Sequence, residues 1–398
     1  MGGRAMGRLV GKAQYRDVLL GVGLLWATLA LVLWPDQAMG AMRDGIKLCG
    51  NVILPSLFPF FVLSSLVVEL GMSRYLGRLL EPVMAPLFRV SGNCASALAL
   101  GFIGGYPVGA RTAIQIYENG QCSRTEAERM LAFCNNSGPA FILGVVGAGV
   151  FGSGAAGLLL CLTHLLASLA VGLLFRFYKP GDRPRTGRVR SAQFQTASFS
   201  RAFTGSVTGA LQSTLNICAF ILFFTVFLRI LAYTGILRTL GGILSALLAP
   251  LGMDQTWAER LLTGLVEVSS GVSSLPDGTI SGRLSMAAFM LGWAGVSVHC
   301  QVLAFLGDSG LSVRTYVTGK LLHGVFSAAL IRLLYWVVPL SSPVSAYLTE
   351  QTECIAGLEF QSALTLSAVT AWGVWLAFLA LSVYVVQKNS GKSRRHVV

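Results

Sequence analysis

Ala155-Ala156-Gly157-Leu158-Leu159-Leu160-Cys161-Leu162-Thr163-His164-Leu165-Leu166-Ala167-Ser168-Leu169-Ala170-Val171-Gly172-Leu173-Leu174-Phe175 contains no Asp, Glu, Lys or Arg. A helix rises 1.5 Å per residue, so a run of this length covers the roughly 30 Å hydrocarbon core of a bilayer. Residues 18–34, 219–232, 287–306 and 364–386 read the same way, with few or no charges. Period-two alternation of apolar and polar residues is missing, which argues against a β-barrel. Apolar residues make up 54% of the 398 positions and charged residues 12%, whereas a soluble domain carries about 25% charged residues. The sequence therefore predicts an all-α polytopic membrane protein of about eight transmembrane helices.

The net charge of +13 follows the ends of these runs. Arg4, Arg8, Lys12 and Arg16 precede the first. Arg176, Lys179, Arg183, Arg185, Arg188, Arg190 and Arg201 fall in or beside one mid-chain loop. Lys388, Lys392, Arg394 and Arg395 follow the last. Basic residues placed this way obey the positive-inside rule and put both termini and the mid-chain loop in the cytoplasm. No basic stripe carries interleaved aromatics, so nucleic acid is not an expected partner. The eight cysteines show neither a CxxC nor zinc-like spacing, and most sit in or beside apolar runs as small packing residues. Ala38-Met39-Gly40 resembles a signal-peptidase site, but the preceding run exceeds a usual signal core, and a retained first helix is expected.

Two stretches repeat each other. Leu57-Phe58-Pro59-Phe60-Phe61-Val62-Leu63 leads to Gly71 and then Ala85-Pro86-Leu87. Ile221-Leu222-Phe223-Phe224-Thr225-Val226-Phe227 leads to Gly235 and then Ala249-Pro250-Leu251, the glycines and prolines keeping one offset of 164. Counting spans from the charge bias puts the copies in opposite topology, as in many secondary transporters. The expected organisation is a basic N-terminus and first helix (1–40), repeat one (41–178), a basic cytoplasmic loop (179–202) and repeat two (203–340). An outer loop, a last helix and a basic tail follow (341–398). Each repeat is expected to contain a broken, re-entrant hairpin, at about 73–120 and 236–280.

Irregular backbone at membrane depth is tolerated where protein buries it or where it lines a wet cavity. Gly104-Gly105-Tyr106-Pro107 interrupts the first hairpin; it reads as a site offering backbone groups or as a packing kink. Asn135-Asn136-Ser137-Gly138-Pro139 breaks an apolar helix, as ligands or as interhelical hydrogen bonding. Glu267-Val268-Ser269-Ser270 places a carboxylate in the second hairpin, where it marks an ion or substrate path or is simply solvated. Ser297-Val298-His299-Cys300-Gln301 adds a histidine that can titrate near neutral pH or serve as a core hydrogen-bonding residue. Ser297, His299 and Gln301 share one face only if the helix unwinds there.

Other motifs carry less. Gly147-Ala148-Gly149-Val150-Phe151-Gly152 matches GxGxxG without a preceding strand, and reads as small-residue helix packing or a turn. Ser123-Arg124-Thr125-Glu126 and Thr256-Trp257-Ala258-Glu259 read as capping boxes. No nucleophile–base pair, metal-ligand cluster or cofactor motif stands out, so no catalytic residue, metal or cofactor is expected.

Leu57–Phe61, the run Ala99–Arg111, Glu126-Ala127-Glu128-Arg129 with Asn135–Pro139, and Gly264–Gly271 together resemble the sporulation integral membrane proteins of the YlbJ type. That family carries the nucleoside-recognition, or Gate, domain, which also occurs in ferrous-iron permeases and other spore-maturation membrane proteins. The resemblance covers about residues 41–340. It implies an endospore-forming Gram-positive source, a cytoplasmic or forespore-enveloping membrane, and a role in spore cortex formation or maturation. It also implies similarity to the paired re-entrant hairpins of the concentrative nucleoside transporter fold, and it supplies no solute. Where the family commonly has a Ser-rich stretch before the proline, this chain has Asn135-Asn136-Ser137-Gly138, which leaves its selectivity open.

The resulting expectation is a secondary transporter or permease for an unidentified small solute, coupled to H+ or another cation. Its solute-binding residues would come from Gly104, Gly105, Tyr106, Pro107, Asn135, Asn136, Ser137, Glu267, Ser269, Ser270, Ser297 and His299. The alternative is a non-transporting scaffold for other sporulation proteins. The bilayer is the certain partner of either, with a homo-oligomer also open. Transport calls for a solvated cavity at Glu267 and Asn136.

Overall fold

The computed structural model describes residues 2–70, 73–181, 199–275, 277–307 and 309–337, with isolated helical positions at 369, 372, 373, 375 and 376. The last expected span (364–386), the outer loop and most of the basic loop lie outside the described residues. Within them the chain is helical throughout, without a strand. Its elements are α1 (Gly2–Leu33), α2 (Pro35–Leu48), a π-turn (Cys49–Ile53), α3 (Leu54–Glu69), α4 (Ser73–Phe88), α5 (Ala95–Gly104), α6 (Val108–Glu118) and α7 (Arg124–Leu131). A π-helix (Ala140–Val150) and α8 (Gly154–Phe175) complete the first half. The second half comprises α9 (Phe199–Tyr233), α10 (Ile236–Leu248), α11 (Gln255–Val266), α12 (Val268–Ser273), α13 (Ile280–Trp293), α14 (Gly295–Leu306) and α15 (Val313–Val337).

Among the described residues, four helical stretches are long and apolar enough to cross a membrane, or six if each of two bent pairs counts as one span. One bend, of 94°, separates α1 from α2. Pro35 opens α2, lacks an N–H, and pushes Trp34 out of the helical region, to φ −129°, ψ 58°. Leu158, Leu162 and Leu173 on α8, Phe203, Leu211 and Leu215 on α9, and Leu321, Val325 and Leu333 on α15 are exposed. Side chains of this kind facing outward on three long helices form a surface suited to lipid. Opposite them lies a core of buried residues from α4–α8, α14 and α15.

The breaks in the helices are packed against one another. α5 and α6 form a hairpin whose tip, Gly105, has φ 75°. A Cβ on Gly101 or Gly109 would stand 1.8 or 1.9 Å from the carbonyl oxygen of Cys134, and one on Gly105 would stand 3.0 Å from the Gly138 nitrogen. The glycines of the first hairpin are therefore a notch that receives the unwound segment 132–139. In the second half, a Cβ on Gly295 would stand 3.1 Å from the backbone of Val266 and Val268 and 3.3 Å from the Glu267 Cα. The hairpin break and the helix break meet there as well.

Two local expectations are corrected. The helix carrying Thr256 begins two residues earlier than a Thr256 cap would start it, because Asp254 is its cap and its side chain accepts the Trp257 N–H at 2.8 Å. The interruption near His299 lies upstream, where Ala294 and Gly295 take φ of 81° and 83°. From Gly295 on, α14 is regular helix, and Ser297, His299 and Gln301 are all buried because packing surrounds it. Ser123 does form the expected capping box with Glu126. The Gly147 region is helix packing, with a Cβ there 2.6 Å from Gly157.

Candidate functional site

Unwinding at 132–139 frees backbone groups that helix would have paired, and polar side chains come in to satisfy them. The Phe133 carbonyl accepts from Ser168 Oγ at 2.7 Å and Asn136 Nδ2 at 2.9 Å. The Ser137 N–H donates to His164 Nε2 at 2.9 Å, and the Asn135 carbonyl accepts from Lys320 Nζ at 2.8 Å. Asn135 Nδ2 donates to the Tyr316 hydroxyl at 3.3 Å, which lies 3.0 Å from His299 Nδ1. His323 Nε2 stands 3.0 Å from the His164 carbonyl and must donate to it, so its Nδ1 lone pair faces Lys320 Nζ at 3.4 Å. The His164 and His323 rings lie 4.4 Å apart.

From the first hairpin, the Tyr106 hydroxyl reaches the Leu291 carbonyl on α13, and its ring lies 5.2 Å from Lys320 Nζ. The expected residues Tyr106, Asn135, Asn136, Ser137 and His299 thus meet in one contiguous polar centre contributed by both halves of the chain. Gly104, Gly105 and Pro107 shape its first wall. Ser297 is buried on the helix that carries His299.

Glu267 behaves differently from a free carboxylate. It is 1% exposed and caps α12, its two oxygens accepting the Ser269 N–H at 2.9 Å and the Ser270 N–H at 2.7 Å. Ser269 and Ser270 enter this arrangement through their backbone.

Lys320, Tyr316, His164 and His323 were absent from the expected set. Lys320 is fully buried among neutral groups, and no ion pair of the described residues includes it. The signal was available: Lys320 and His323 stand three residues apart in a 25-residue apolar helix, where an ionisable residue is costly. Among the described residues, buried polar atoms near them that have no partner include Asn135 Oδ1, Asn136 Oδ1, Ser137 Oγ, His164 Nδ1 and His299 Nε2. Native interiors leave few such atoms, so a cluster of them is suited to a polar ligand.

A cavity of about 220 Å3 lies between α3, α6, α9 and α14, and reaches Pro107, next in the chain to Tyr106. Glu69, Pro107, Arg111, Gln115, Asn216 and Gln301 are among its lining residues. Neither Glu267 nor Asn136 lines this space: one caps a helix, and the other is enclosed by the unwound segment. At one end of the molecule, outside the candidate spans, Glu128 accepts from Arg124 Nε and Lys179 Nζ at 3.0 Å, the Tyr178 hydroxyl at 2.9 Å and the Ser312 N–H at 3.2 Å. Burial pushes its carboxyl up, but the bonds from Lys179, Arg124 and Tyr178 outweigh burial and hold it below the ordinary carboxylate value.

Apolar spans, broken helices and a buried polar centre define an integral membrane protein of the polytopic helical class. Residues 52–175 match the Gate family, described as nucleoside recognition. The chain is 31% identical over 341 residues to the sporulation integral membrane protein YlbJ of Bacillus subtilis (strain 168), covering 81% of this chain and 84% of that protein. It belongs to that family. Among solved structures it is similar to CNTnw in an inward-facing substrate-bound state, at 15% identity, TM-score 0.47, and 83% and 86% coverage of the two chains. An intermediate state of a CNTnw variant gives 14% identity, TM-score 0.46, and 83% and 88% coverage. Likenesses this low carry no argument about the solute.

Proposed function

We propose that this protein is a secondary transporter that carries a small anionic solute across the cytoplasmic or a forespore-enveloping membrane during spore maturation, in support of the cortex. The observation that carries the reading is Lys320. An ammonium in a bilayer interior costs roughly 2.5–3.5 kcal/mol on insertion scales. A Thr or Asn would satisfy the Asn135 carbonyl without that cost, so a lysine there points to a charge brought by a ligand. The donors His299 Nε2, His164 Nδ1 and Ser137 Oγ suit a carboxylate or phosphate. Asn135 Oδ1 and Asn136 Oδ1 suit the polar edge of the same solute. The cavity at Pro107 and Gln301 is the approach, with Arg111 at its wall.

In this reading the site comprises Tyr106, Asn135, Asn136, Ser137 and His299 with Lys320 and Tyr316. Gly104, Gly105, Pro107, Glu267, Ser269, Ser270 and Ser297 shape the breaks around it. The halves 41–178 and 203–340 act as inverted repeats among eight spans, with both termini cytoplasmic, and rock against each other to alternate access. The non-transporting scaffold is favoured by one observation, the use of Glu267 and the hairpin glycines in internal packing. A thermal-shift screen of the purified protein with nucleosides, amino acids, dipicolinate, cell-wall precursors and divalent cations separates the two. Stabilisation by an anion, lost in Asn136→Ala and Lys320→Met, supports transport. If no solute stabilises the protein and both variants sustain sporulation, the scaffold is the better account.

A further inference from the structure

We infer that Lys320 is the proton-coupling group of this carrier, neutral when the site is empty and protonated when an anion is bound, so that solute and proton move together. The inference rests on the anion reading above and specifies its coupling ion.

The argument starts from what faces Lys320 Nζ. From its own helix come His323 Nδ1, at 3.4 Å, and Tyr316. The unwound segment contributes the Asn135 carbonyl at 2.8 Å and the buried Cys134. The first hairpin contributes the Tyr106 ring, 5.2 Å away, α8 contributes His164, and α14 contributes His299. No carboxylate is among them. The carboxylates of α7 are committed elsewhere: Glu126 to the backbone of Ser91 and Ser123, and Glu128 to Arg124, Lys179 and Tyr178. Glu267 caps α12.

Nζ therefore has two neutral acceptors at hydrogen-bond distance. They match the two N–H groups of an amine and leave its lone pair free. An isolated ion in a low-dielectric interior sheds its charge rather than bear the desolvation, and burying a charge becomes tolerable once it is paired. The empty site thus holds an amine, and the loaded site an ammonium–anion pair. His323 is held in the tautomer that accepts from Lys320, because its Nε2–H is fixed on the His164 carbonyl. On the loading side the anion arrives, one proton binds the Lys320 lone pair, and no bond to carbon changes. On the release side the anion leaves and the ammonium returns that proton to water.

The chain has six lysines, so [15Nζ]lysine NMR of the protein in lipid resolves them, and the signal missing from Lys320→Met is that of Lys320. The expected result is an amine signal in the empty protein at neutral pH that becomes an ammonium signal on adding dipicolinate, and not uridine. In proteoliposomes with the membrane potential clamped at zero, an inside-alkaline gradient of one pH unit should raise dipicolinate accumulation about tenfold. Lys320→Arg, which stays charged, should bind dipicolinate with no response to the gradient. An ammonium signal in the empty protein overturns the inference whether or not any solute is carried. Dipicolinate uptake indifferent to the gradient overturns the coupling and leaves the anion reading standing. An amine signal with no anion carried refutes the anion reading, and the coupling with it.

Discussion

Replacing Glu267 by Gln tests whether this carboxylate serves the backbone or the solute. Its two oxygens each accept one buried N–H, at 2.9 and 2.7 Å, where the chain turns through φ −143°, ψ 119° between α11 and α12. Glutamine keeps one acceptor and places an NH2 group where the other stood, so one N–H faces a donor. An unpaired buried N–H costs about 1–3 kcal/mol, and the surviving bond loses its charge assistance, about 1 kcal/mol more. Glu267→Gln should therefore lower stability by about 2–4 kcal/mol in denaturant unfolding followed in mixed micelles. Glu267→Asp, with a side chain that also caps well, should cost about 1 kcal/mol or less. The affinity of the folded fraction for dipicolinate should stay within about twofold, since the cap and the Lys320 centre share no hydrogen-bond partner. If Glu267→Gln is as stable as wild type and binding is lost, the carboxylate is a solute ligand and the capping argument is wrong.

Gly109→Ala should fail to give monodisperse protein, because its Cβ would stand 1.9 Å from the Cys134 carbonyl oxygen; Gly144→Ala, which meets nothing within 4 Å, should purify normally by size-exclusion chromatography. Tyr316→Phe removes the hydroxyl shared by Asn135 and His299, leaving both unpaired, and should weaken dipicolinate binding about tenfold in equilibrium dialysis and lower the melting temperature. The folded-state value of Glu128 is depressed, so its stabilisation is present above the unfolded carboxylate value and disappears as pH falls through the folded one. Wild type should consequently lose its stability advantage over Glu128→Gln as the pH drops below about 4.5 in a pH series of melting temperatures.

The membrane class was legible because bilayer thickness imposes a length and composition that few soluble helices reach. The breaks were legible too, since Gly105, Pro107, Gly138 and Pro139 announce irregular backbone in apolar surroundings. What those breaks do was harder to read. The glycines at 101, 105 and 109 look like ligand cradles in sequence, yet each faces backbone of the segment 132–139 from about thirty residues away. Sequence cannot say that Glu267 folds back on its own chain, because a cap and a ligand share the same residue type. Lys320, His323 and His164 lie in helices that read as ordinary spans, and their meaning depends on α8 and α15 packing face to face. Their charge and position were visible; the absence of any carboxylate nearby among the described residues was not.

The central claim is that Lys320 gives this carrier an anionic solute. Uptake of radiolabelled dipicolinate and uridine into proteoliposomes containing wild type or Lys320→Met tests it most directly. The account predicts accumulation of dipicolinate over protein-free liposomes, no uridine uptake, and at least about a thirtyfold loss of dipicolinate uptake in Lys320→Met, in keeping with a buried charge pair broken on one side. Uridine uptake that survives in Lys320→Met, with dipicolinate left outside, would contradict it.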